Sequence, residues 1–215
     1  MKKLITAASL VALFAATPAL AADLGGSTKD DVDYSANGPA FVGFGVGIHA
    51  GGQFSNVEIA DGEFSFDGIG ADGLVGGLHV EYLFPVGRFR VGPYLEGGFS
   101  NVNTNIELGS DVDLLNQENY YGGGIKAGVV VSETLIYGRF GLERSNWDVV
   151  ENFSAEVDSL VIGGGIETMI AAHTSLGVEG TYHDVFNVEA EGLDVSDYLD
   201  ESEGLRGVVR LTYRH

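Results

Sequence analysis

The chain of 215 residues contains no cysteine, four prolines and one tryptophan, and only 11 of its residues are Lys or Arg. The lack of cysteine excludes a disulfide scaffold, thiol catalysis and zinc–thiolate sites. Scarce proline argues against a disordered linker, and 33 glycines without a Gly-x-y period exclude a collagen-like rod. Few basic residues against 31 acidic ones give a formal charge of -20, which repels nucleic acid. Long apolar runs are also missing after the first 21 residues. Met1-Lys2-Lys3, the apolar run Leu4 to Ala16 and the small-x-small pair Ala19 and Ala21 form an export signal with cleavage after Ala21. That run is too short for a spanning helix.

What is present is alternation. In Leu205-Arg-Gly-Val-Val-Arg-Leu-Thr-Tyr-Arg-His215, the residues Leu205, Gly207, Val209, Leu211, Tyr213 and His215 share one face of an extended strand. Arg206, Val208, Arg210, Thr212 and Arg214 share the other. Seven more segments repeat the pattern: Ala40 to Gly51, Leu74 to Phe84, Arg88 to Ser100, Tyr120 to Val131, Leu135 to Arg144, Leu160 to Ile170 and Ser175 to His183. Short turns at Pro85-Val86-Gly87, Ser132-Glu133-Thr134 and Ala171-Ala172-His173 alternate with long polar loops at 53–73, 101–118, 145–158 and 184–204. Strands of about 9–11 residues, even in number, with short turns on one rim and long loops on the other, describe a transmembrane barrel. The expectation is an all-β protein: an eight-stranded antiparallel up-and-down barrel. It comprises an export signal at 1–21, a short periplasmic segment at 22–39 and the barrel at 40–215. A soluble β-sandwich also alternates, but its faces need not stay free of charge over the whole strand.

The charges on the glycine-rich face mark the lumen. The expected lumen salt-bridge network comprises Glu81, Glu96, Glu143, Glu167 and Glu179 with Arg90, Lys126, Arg139, Arg206 and Arg210. An eight-stranded barrel is filled by its own side chains, and buried charges there must pair. The two sets balance, so a plug is expected, with Glu179 and Arg210 as its leading pair. Tyr82, Phe84, Phe89 and Tyr213 on the turn side, and Phe99, Tyr121 and Tyr182 on the loop side, make two interfacial girdles.

The start Ala19 to Leu24, the strand Phe41-Val-Gly-Phe-Gly-Val-Gly47, the run Gly163 to Ile166 and the end Tyr213-Arg214-His215 carry a resemblance. They resemble the small alphaproteobacterial outer-membrane barrels related to the OmpA membrane domain and the opacity-type surface antigens. The chain departs from that family in ending on His215 rather than Phe. It also reads Asn37-Gly-Pro-Ala-Phe41 where the family has Trp-Thr-Gly-Phe-Tyr. The resemblance implies an integral protein of the outer membrane, with Leu211, Tyr213 and His215 as a signal to the barrel-assembly machinery. Outer-membrane lipid and lipopolysaccharide are the other expected partners.

The excess acid lies in the loops. The last one holds Asp184, Glu189, Glu191, Asp194, Asp197, Asp200, Glu201 and Glu203, a hydrophilic surface that is also a candidate for divalent cations. No defined metal site, cofactor or nucleic-acid partner is expected, and the protein is expected to be a monomer. The function expected is structural and surface-presenting, in support of envelope integrity. A low-conductance diffusion channel is the second reading and a lipid A-modifying enzyme the third. For the third, His183-Asp184 and Ser145-Asn146 come nearest, but Glu143 stands where a His-x-Ser-Asn motif needs histidine, and the chain is not expected to be an enzyme.

Overall fold

Period-2 alternation sends successive side chains to opposite faces, so a sheet of such strands has one apolar face and one polar face. In lipid the sheet must also close, because an open edge would leave backbone groups unsatisfied. A computed structural model of the chain, describing residues 40–61, 64–107, 111–149, 153–190, 193–194 and 203–215, shows this closure. The strands are β1 (Gly43–Asp61), β2 (Phe64–Val86), β3 (Phe89–Glu107) and β4 (Asp111–Val131). They continue as β5 (Thr134–Val149), β6 (Phe153–Ala171), β7 (Thr174–Ala190) and β8 (Glu203–Arg214). Each pairs antiparallel with the next, and β8 pairs back onto β1 from Gly45↔Arg214 to Asn56↔Glu203. A two-residue strand, Leu193–Asp194, pairs antiparallel with Glu189 and Ala190 at the end of β7. No helix among the described residues is long and apolar enough to cross a membrane, and a barrel crosses with strands instead. The export signal, with Ala19 and Ala21, and the 22–39 segment lie outside the described residues.

Outward positions carry the apolar residues. Phe44, Ile48, Leu78, Leu95, Ile125, Phe140, Ile162 and Val209 are all exposed. A soluble protein rarely exposes so large an apolar area, and here it forms a belt around the wall. Tyr82, Phe84, Phe89 and Tyr213 ring its turn end, and Phe99 and Tyr121 its loop end. This is the wall of a transmembrane β-barrel, and the belt faces lipid.

The strands are longer than expected, and this corrects the long loops. β1 and β2 stay paired out to Asp61↔Phe64, β3 and β4 to Glu107↔Asp111, and β5 and β6 to Val149↔Phe153. Most of segments 53–73, 101–118 and 145–158 is therefore hairpin. Beyond the belt no lipid selects apolar outward residues, so the period fades while backbone pairing continues. Bulges at Val57/Ile59, Gln117/Asn119 and Asp158/Ser159 break it further.

Candidate functional site: a charge-filled lumen

The inward faces of the eight strands converge on one axis, and glycine makes the room. A Cβ on Gly165 would lie 2.8 Å from the Tyr137 hydroxyl, and one on Gly98 would lie 2.7 Å from the Tyr120 hydroxyl. Rings and long charged side chains from facing strands occupy this space in layers.

The layer nearest the turns holds two carboxylates and two cations. Lys126 Nζ donates to Glu81 Oε2 at 3.0 Å and to Glu167 Oε2 at 2.8 Å. Arg214 Nη2 donates to Glu81 Oε1 at 2.5 Å and to Glu167 Oε1 at 2.6 Å. Ser175 Oγ donates to Glu167 as well. Lys126 also rests 3.9 Å above the Tyr137 ring.

The middle layer repeats the design. Arg139 donates to Glu179 Oε1 at 2.7 Å and forks onto both oxygens of Glu96. Arg210 Nη1 reaches Glu179 Oε1 at 2.7 Å and Glu96 Oε2 at 3.3 Å. Tyr137 donates to Glu179 Oε2 at 2.8 Å. Tyr94 underlies Arg139 at 4.0 Å. Beside this layer, His49 lies 2.6 Å from the Tyr120 hydroxyl and His79 3.0 Å from the Thr212 hydroxyl.

In the layer nearest the loops, Arg206 forks onto Glu143 at 2.7 and 2.8 Å and donates through Nε to Gln53. Gln53 donates on to Gln117, and His183 Nδ1 lies 3.4 Å from Glu143. The charged side chains of all three layers are almost wholly buried.

Apolar clusters bound these layers. Toward the turns, Phe41, Leu83, Leu135, Tyr137 and Met169 form a floor, joined by Ala40 and Val130. Phe41 holds a left-handed φ of 59° while its ring is buried, and Arg214 lies 5.3 Å from that ring. Non-glycine residues pay strain in that region, so the ring's burial fixes the backbone there. Toward the loops, Val75, Val102, Tyr120 and Val208 cluster with Trp147.

Nine of the ten lumen residues named from the sequence converge in these layers, and Glu179 with Arg210 is among the pairs that form. Arg90 does not join them. It lies just beyond the β2–β3 turn, so its guanidinium stays buried at the turn rim, below the ionic layers. There it donates to the carbonyls of Ala40, Gly87 and Phe89 at 2.8–2.9 Å. Arg214 takes the place assigned to Arg90. It shares the face of Arg206 and Arg210, and that periodicity was the signal for it. The floor gave no signal, because Phe41, Leu83 and Leu135 are as apolar as the outward residues beside them.

At the closing end, Leu211 and Tyr213 face outward, and the His215 amide donates to the Phe44 carbonyl at 3.0 Å. The nearest approach to a catalytic set is taken apart. His183 turns inward to Glu143 and Thr181, while Asp184 is exposed. Ser145 accepts from the Trp147 indole. Among the described residues no group of three or more His, Asp or Glu could hold a metal ion. Residues 195–202 of the acidic last loop lie outside the described residues.

No protein-family model matches the chain, and no curated protein is similar to it in sequence. Solved structures are similar in fold. Neisserial surface protein A matches over 80% of this chain and 97% of its own, at 11% identity and a TM-score of 0.51. The attachment invasion locus protein Ail of Yersinia pestis covers 81% and 99% at 16% identity, with a TM-score of 0.42. The outer membrane protease OmpT from Escherichia coli covers 80% and 97% at 10% identity, with a TM-score of 0.39. The first of these likenesses shows the fold, that of small outer-membrane barrels. The comparisons correct one expectation: a protease stands among the similar structures, so absence of catalysis does not follow from this architecture. At 10% identity that likeness does not make this chain a protease either.

Proposed function

We propose that this protein is a surface barrel of the outer membrane whose lumen is closed by its own charges, and that it contributes to envelope integrity. The observation that carries this reading is the doubly bridged carboxylate. Glu81, Glu96, Glu167 and Glu179 each accept from two cations on different strands, so each layer ties several parts of the wall together across the axis. A steady pore would require these charges to separate inside a low-dielectric interior, where an unpaired charge costs several kcal/mol. The apolar floor around Phe41 supports closure on the turn side. Kinship with the OmpA-type and opacity-type barrels rests on Phe41 to Gly47 and on the closing strand. The assembly machinery reads that strand through Leu211, Tyr213 and His215. The protein acts as a monomer, and its acidic loops present the hydrophilic surface.

Deleting the gene tests this reading against that of a diffusion channel. The expected result is greater sensitivity to detergents and bulky antibiotics, with uptake of small sugars unchanged. Slower sugar uptake with an intact barrier to detergents would instead identify a channel.

A further inference from the structure

We propose that the outer wall around Arg144 seats one glycolipid of the outer leaflet. Arg144 and Asp158 hold its sugar headgroup, and Leu142, Tyr121 and Phe186 line its acyl chains. This inference rests on the loop side facing the outer leaflet, and it is independent of whether the lumen conducts.

Arg144 is out of place on this face. Segments 53–73, 101–118, 145–158 and 184–204 contain no Lys or Arg at all, and every other cation of the loop-side half of the wall points into the lumen. Arg144 points outward on β5, directly after Leu142, where the apolar belt ends. Asp158 is its register partner on β6. Its Nε donates to Asp158 Oδ1 at 2.7 Å and its Nη2 to Oδ2 at 2.8 Å, and Nη1 reaches Glu156 at 3.0 Å. Asn187 on β7 donates to the same Asp158 at 3.1 Å. One strand position further up, Asn146 donates to Asn119 at 2.8 Å. An exposed ion pair contributes little to stability, yet three strands aim polar groups at this one point.

Beside it the outer face of the wall bears an open groove. This groove, of about 320 Å³, lies between Tyr121, Leu142 and Phe186, with Arg144 and Asp158 along its lining. The apolar part is level with acyl chains and the polar part with headgroups, an arrangement that fits one amphiphile. The chemistry selects its headgroup. Arg144 is outnumbered by Asp158 and Glu156, so a bare phosphate is repelled. A sugar supplies hydroxyl protons to the carboxylates and takes donors from the guanidinium and the amides. Tyr121 and Phe186, more than half exposed, flank the groove.

The test is native mass spectrometry of the full barrel refolded without lipid. Its probes are an acylated glucosamine disaccharide and, separately, phosphatidic acid, which offers phosphate without sugar. The unaltered protein is expected to retain one glycolipid and to prefer it at least tenfold over phosphatidic acid. Arg144→Gln is expected to lower retention at least tenfold, and Leu142→Trp, which fills the groove and leaves the ion pair intact, to do the same. Arg88→Gln, at the opposite rim, is expected to leave retention unchanged. Migration in unheated gels reports whether each variant has folded. Equal retention by Leu142→Trp and the unaltered protein, equal retention of phosphatidic acid, or no retained glycolipid would each overturn the proposal.

Discussion

Glu179 shows how much one side chain holds in this interior. It accepts from Arg139, Arg210 and Tyr137, contributed by β5 and β8, while itself lying on β7. Removing one partner of a buried ion pair costs about 3–5 kcal/mol, since the remaining charges stay buried. Glu179→Gln keeps the shape and removes the charge, leaving Arg139 and Arg210 to share Glu96. It is expected to lower the temperature at which the folded band converts to the unfolded one in detergent gels. An unchanged conversion temperature would mean that the layer does not hold the wall together. At this scale the sequence was legible wherever alternation alone assigned a face. It reached Glu81, Lys126 and Arg206 because their neighbours in chain are apolar and outward. It failed at Arg90, because a residue beside a turn is taken up by the carbonyls of the rim rather than by the lumen carboxylates, even when its parity is right. It failed again at Phe41, whose left-handed backbone no periodicity encodes.

The strands depend on glycine as much as on their apolar residues. Gly165 on β6 faces the Tyr137 hydroxyl, and the same hydroxyl donates to Glu179. Gly165→Val would therefore push Tyr137 off its carboxylate as well as overfill the lumen, and overpacking alone costs about 1–3 kcal/mol. The expected outcome is a barrel that folds in lower yield and converts on milder heating. Gly87→Ala, in an open turn, serves as the comparison for backbone strain without lumen crowding. If the two variants behaved alike, crowding would not be the cause. Eight strands and their order were legible because lipid imposes an apolar outward face at every second residue. Their length was not. Above the belt the inner face becomes apolar, as at Val75, Val102 and Trp147, and the outer face polar, as at Asn119 and Asn146. The pattern there inverts and fades while the hydrogen-bonded ladder goes on.

The whole molecule is organised in three zones. An apolar floor lies at the turns, neutral ionic layers fill the membrane span, and the loop-side segments carry the acidic excess of the sequence. The net charge of -20 arises outside the lumen, because the lumen cations and carboxylates named above match in number. This asymmetry was legible from the placement of Lys and Arg alone. The floor and the outward Arg144–Asp158 pair were not, because both require knowing which strands meet across the wall. In the proposed function, paired charges and the floor close the lumen. Recording purified, folded protein in planar bilayers tests it most directly. Closure predicts a flat baseline, with no steady conductance steps at neutral pH under moderate voltage. Stable, reproducible steps that disappear when the lumen is occluded would show a standing pore and contradict the account.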